Sequence, residues 1–202
     1  MSDRIELSTS DGETLEARWD HASNPIGVTV FSHPHPLDGG SMNAPLMIGV
    51  TLRLVERGVS VLRFNFRGTG SSTGTHDHGR SEKLDMAAAV AVARDSGLTL
   101  GIAGWSFGAA VALGWLAEEA DPPSYVGIAP PVEGLPDVLP PGPKRLIVGT
   151  RDQVIDVGGL SSYAERQSID LVVTPGDHFF HGRGGKIGDL VAEGLTRGSD
   201  SS

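Results

Sequence analysis

Cysteine is missing from all 202 residues, which removes disulfides, thiolate metal sites and a cysteine nucleophile from consideration. That absence suits a cytoplasmic chain. Basic residues are also in short supply, 16 Lys and Arg against 25 Asp and Glu, for a formal net charge of -9. Such a balance disfavours a nucleic-acid backbone or an anionic membrane surface as partner. No apolar run is long enough to span a bilayer: the longest, around residues 86–93 and 109–116, fall far short and are flanked by polar residues. Residues 1–18 carry Asp3, Arg4, Glu6, Asp11 and Glu13 and lack the apolar centre of a signal peptide. The expectation is a soluble cytoplasmic protein. Aromatics make up only 5%, while glycine reaches 28 residues and proline 13, so the chain reads as globular and rich in turns.

What is present alternates between strand and helix. Residues 4–8 and 14–19 flank the Ser10-Asp11-Gly12 turn signal and read as an antiparallel hairpin. Runs of β-branched and aromatic residues follow at 26–31, 60–66, 98–103, 124–128, 145–149 and 169–173, the composition of strands buried on both faces. Helical spacing falls between them at 44–57, 81–95, 107–119, 158–167 and 185–195. This order predicts an α/β fold: a mostly parallel sheet of about eight strands, helices on both faces, and the hairpin at its leading edge. Pro130, Pro131, Pro136, Pro140 and Pro141 break any helix between the sixth and seventh strands, which leaves no room for a cap domain there. The chain reads as one domain over residues 1–196, followed by a flexible C-terminal tail at 197–202.

Gly104-Trp105-Ser106-Phe107-Gly108 matches G-x-S-x-G directly after a strand and directly before a helix. That turn holds its central serine in a strained conformation above the strand ends, and side chains at the flanking glycines would collide with the helix that follows. In so glycine-rich a chain the five-residue pattern alone is weak; its setting gives it weight. A serine hydroxyl needs a base to take its proton and a carboxylate to orient that base. Asp152, just past the strand at 145–149, is the preferred acid, with Asp156 as its rival. His178 follows the last strand and is the preferred base, with His181 as its rival.

An oxyanion formed at the attacked carbonyl requires amide donors. The backbone N–H of Phe107 is one; the second is expected from the loop at residues 33–40, where Pro34 and Pro36 have no amide hydrogen and His35 or Leu37 must donate.

Four motifs in order, His33-Pro34-His35-Pro36-Leu37 with Gly39-Gly40, the segment from Arg63 through Ser71, the Gly104 to Gly108 turn and Asp177-His178-Phe179-Phe180, resemble the small, lidless bacterial α/β-hydrolases related to dienelactone hydrolases. The resemblance runs over residues 3–195. It implies Ser106, Asp152 and His178 as a catalytic triad, with His35 and Phe107 as oxyanion donors. Dienelactone hydrolases themselves use a cysteine nucleophile, so their substrate is not carried over.

The leading functional reading is an esterase-like serine hydrolase that acts on a small-molecule acyl substrate through an acyl-enzyme and needs no cofactor. Two alternatives stand beside it. A binding module with the same fold would lack turnover. A zinc site would gather His33, His35, His76, His78, His178 and His181 at the strand ends. Self-association into a homodimer is left open. The segment from Arg67 to Arg80 reads as a loop bordering the cleft, held by Asn65 and Arg67.

Overall fold

The computed structural model describes residues 1–196; the tail expected at 197–202 lies outside the described residues. In chain order the elements are β1 (Ser2–Ser8), β2 (Thr14–Asp20), β3 (Gly27–Ser32), α1 (Pro45–Glu56), β4 (Val59–Phe64), α2 (Glu82–Arg94), β5 (Leu100–Trp105), α3 (Phe107–Leu116), β6 (Ser124–Ile128), β7 (Lys144–Gly149), α4 (Val157–Arg166), β8 (Asp170–Thr174) and α5 (Gly184–Thr196). No helix among the described residues is long and apolar enough to cross a membrane.

The strands form one eight-stranded sheet in the order β1-β2-β4-β3-β5-β6-β7-β8. β2 pairs antiparallel with both β1 and β4, and every other pairing is parallel. All six residues of β3 and all six of β4 are buried, as their Val- and Phe-rich sequences require once helices cover both faces. Helices α1 and α5 pack together on one face, and α2 packs on α3 on the other. α1 turns Leu46, Met47, Val50 and Leu54 inward, a spacing of three and four residues that puts them on one stripe. α3 is Ala- and Gly-rich and is buried on most of its surface between the sheet and α2.

β4 ends two residues before its apolar run does. The Asn65 amide donates to Glu16 O of β2 and the Phe66 amide to the His33 ring, so both leave the parallel ladder. The proline-rich stretch 129–143 contains no helix or strand, and no cap covers the sheet edge there. From β3 the chain passes through α1 to β4 on one side, then returns through α2 to β5 on the other. This reversal leaves a crevice beyond the carboxyl ends of β3 and β5.

Candidate active site

The loop leaving β3 and the turn joining β5 to α3 face each other across that crevice. Ser106 has φ 53° and ψ −119°, a conformation costly for a residue with a Cβ. Its amide donates to Ile128 O of β6 at 2.7 Å, which fixes the strained residue to the neighbouring strand. The two flanking glycines answer different neighbours. A Cβ on Gly104 would lie 2.5 Å from the Ala109 nitrogen in the following helix. One on Gly108 would lie 2.4 Å from His33 O, so the second glycine serves the approach of α3 to β3 and not the helix. The Ser32 hydroxyl closes the same junction by donating to Gly108 O at 2.9 Å. Gly108→Ala is therefore expected to cost about 1 to 3 kcal/mol by overpacking. Urea denaturation measures this, and an unchanged midpoint would refute the account.

His178 lies in the loop after β8, with its Nε2 3.1 Å from Ser106 Oγ and its Nδ1 3.0 Å from Asp152 Oδ2. The imidazole and the carboxylate are both almost wholly removed from solvent. Asp152 follows β7, and its other oxygen, Oδ1, accepts the amides of Val154 and Ile155, each at 2.9 Å. The carboxylate is thus held from both sides. Asp156 stands exposed at the head of α4, and His181 is an exposed loop residue 3.7 Å from Asp177; neither joins the chain of hydrogen bonds.

Phe107 is the first residue of α3, so its amide has no acceptor within the helix. His35 borders the same cleft as Ser106 and His178, whereas Leu37 lies in a 3₁₀ turn beside a separate surface hollow. His35, and not Leu37, therefore lines the cleft onto which the serine opens. The cleft has a volume of about 360 Å³, with apolar walls from Ala44, Pro45, Trp105, Val154 and Phe179. Trp105 also donates its indole N–H to His178 O at 3.2 Å, steadying the loop that carries the imidazole. The sequence signal for Trp105 was its place in the serine turn; Ala44, Pro45 and Val154 carry no local signal, since only the fold brings them here. A larger hollow of about 510 Å³ lies at the opposite ends of the central strands, bordered by Ile26, Thr99 and Ser124, far from this chemistry.

The six histidines do not converge on one point. Among the described residues no group of three or more His, Asp or Glu is placed to hold a metal ion. His33 is fully buried: its Nε2 accepts the Phe66 amide at 3.0 Å, and its Nδ1–H donates to Pro34 O at 2.6 Å. Accepting the Phe66 amide requires the neutral ring, and burial, outweighing the Pro34 bond that favours the charged form, pulls its pKa down from 6.5 to about 4. Between those two values the unfolded chain binds more protons than the folded one. Stability from this group is complete above pH 6.5 and is lost as the pH falls toward 4, by about 3 kcal/mol in all. In His33→Gln that share of the acid sensitivity should vanish, as urea midpoints at pH 7 and 4.5 would record; equal slopes in the two proteins would count against it.

The segment 67–80 is tied down as expected. The Arg67 guanidinium donates to Asp85 and Asp11, and Asn65 accepts the Met42 amide while donating to Glu16. Burial works against the Arg67 charge, but the two carboxylates outweigh it and hold its pKa above the usual value.

A mostly parallel sheet whose fifth strand delivers a serine on a strained turn, facing an imidazole and a carboxylate from later strands, defines the α/β-hydrolase class. Comparison with known proteins narrows it. A crystal structure from Xanthomonas campestris, described as an α/β serine hydrolase without lid, shares 31% sequence identity and a TM-score of 0.88, covering 97% of this chain and 94% of its own. An α/β serine hydrolase homologue from Coxiella burnetii shares 28% identity with a TM-score of 0.87, covering 96% and 97%. An uncharacterized protein of Rickettsia prowazekii is 31% identical over 184 residues, 82% of this chain and 77% of the relative. No protein-family model matches the chain. The chain belongs to the lidless α/β serine hydrolases.

Proposed function

We propose that the protein is an esterase-like serine hydrolase, with Ser106 as nucleophile, His178 as general base and acid, and Asp152 as the carboxylate that orients the imidazole. The observation that carries this reading is the unbroken line of hydrogen bonds from Ser106 Oγ through His178 to Asp152, opening onto an apolar cleft. Ser106 attacks an acyl carbonyl while its proton passes to His178 Nε2. The developing oxyanion is met by the amides of Phe107 and His35. The tetrahedral intermediate collapses, the leaving alcohol takes the proton from His178, and an acyl-enzyme remains on Ser106. Water, deprotonated by His178, then attacks the acyl-enzyme; the bond to Ser106 Oγ breaks, His178 returns the proton to Oγ, and the acid is released.

Within the lidless hydrolases we read the chain as related to the dienelactone-hydrolase group, with serine in place of cysteine, a reading supported by the order of its four motifs. The small, uncapped cleft favours compact acyl groups, the cysteine-free composition is compatible with the cytoplasm, and the proposed mechanism calls for no cofactor. A fluorophosphonate that labels active serines tests the reading. The expected result is one adduct, on Ser106, together with hydrolysis of p-nitrophenyl esters that weakens as the acyl chain lengthens. A folded protein with neither adduct nor turnover would leave a binding module as the better description.

A further inference from the structure

Although its loop is rich in Gly, Ser and Thr, His76 turns inward; its side chain is only 7% exposed. Beside it lies Glu82, the first residue of α2 and completely buried. The Glu82 oxygens accept the amides of Asp77 and Gly79, each at 2.8 Å, so this one carboxylate gathers the turn that follows His76. His76 Nδ1 lies 2.8 Å from Glu82 Oε1, but the contact is misaligned and neither ring nitrogen completes a hydrogen bond. Packing therefore holds the ring. Its centroid is 4.9 Å from that of His35, at 60°, and 5.3 Å from that of Phe107, at 55°. The His35 and Phe107 rings are themselves 5.0 Å apart, so the three close a triangle.

Of the three rings that His76 packs against, His78 is one, and the other two belong to the residues whose amides face the oxyanion in the proposed reaction. They come from different strands and share no backbone hydrogen bond. We infer that His76, packed beside Glu82, is a positioning residue that fixes the spacing between the His35 and Phe107 amides and so the fit of the oxyanion site. This rests on the hydrolase reading above. An edge-to-face contact between flat rings restrains both distance and tilt, and a displacement near 1 Å at a reacting centre costs about 100-fold in rate.

The test measures kcat and KM on p-nitrophenyl acetate, and the affinity of an aryl trifluoromethyl ketone, for the full chain and for His76→Ala, His76→Leu and His76→Phe. The ketone forms a hemiketal on Ser106 whose oxyanion needs the same two amides, whereas KM for the small ester does not. His76→Ala is expected to lower kcat by about 30- to 100-fold and ketone affinity by a similar factor, with KM within about twofold. His76→Phe, which keeps a flat ring, is expected to recover both to within about threefold of wild type. His76→Leu fills the space without a flat ring and follows His76→Ala, which secures the comparison where the alanine variant does not fold. Wild-type kcat and ketone affinity in folded His76→Ala or His76→Leu would overturn the inference, and so would a phenylalanine variant no better than leucine. Failure of the hydrolase reading itself would be seen separately, as wild-type protein with no Ser106-dependent turnover.

Discussion

Ser106→Ala is expected to lower kcat/KM on short-chain esters by about 10⁵-fold, leaving at most the residual rate that binding and oxyanion donors supply without a nucleophile. The fold should be indifferent to the change. Ser106 keeps its Cβ, so the strained backbone at φ 53° is no worse in alanine, and its amide still reaches Ile128 O. The lost hydroxyl leaves behind only His178 Nε2, which borders the open cleft and can turn to water. Thermal unfolding should therefore shift little while turnover and phosphonate labelling disappear together. An alanine variant with near wild-type turnover would remove Ser106 from the chemistry.

Asp152→Asn is expected to cost about 10⁴-fold in kcat at neutral pH. The hydrogen bonds around this side chain explain why so small a change is so damaging. One carboxylate oxygen accepts two backbone amides, from Val154 and Ile155, and the other faces His178 Nδ1. The asparagine amide group is a donor, so it cannot point at the two N–H groups without leaving both unpaired. It must face His178 Nδ1 instead. That position then becomes an acceptor, and the imidazole proton moves to Nε2, where it blocks transfer from Ser106 Oγ. Asp156→Asn, four residues away at the head of α4, should change kcat by no more than about twofold. Comparing the two variants on one ester decides between the carboxylates; similar losses in both would refute the assignment.

The sequence choice between these two aspartates turned on a spacing: the acid belongs just beyond β7, which ends at Gly149, and Asp152 meets that condition. The same logic separated His178 from His181 beyond β8. Alternation of apolar strands with helical spacing likewise marked every element of the sheet to within a few residues, because strands buried on both faces have a composition little else shares. Contacts between distant segments were not legible. Gly108 reads locally as part of the serine turn, yet the atoms it avoids belong to β3. His76 reads as part of a loop bordering the cleft, and nothing in its neighbours along the chain announces Glu82 or the rings of His35 and Phe107. Phe66 continues an apolar run but gives its amide to His33, a partner 33 residues away.

Ser106, Asp152 and His178 hang from β5, β7 and β8, while the His35 loop hangs from β3. These four strands are joined by parallel pairing through β6, and parallel pairing brings together segments remote in the chain. No hairpin contains two of these parts, and even the nearest pair, Asp152 and His178, is joined only through a whole strand-helix-strand unit. During folding, chemical competence is consequently a late event: long loops must close and half the sheet must register before the hydroxyl meets its imidazole. On the proposed mechanism a nascent or partly unfolded chain carries an ordinary serine, and the activated one exists only while the strands from β3 to β8 stay paired.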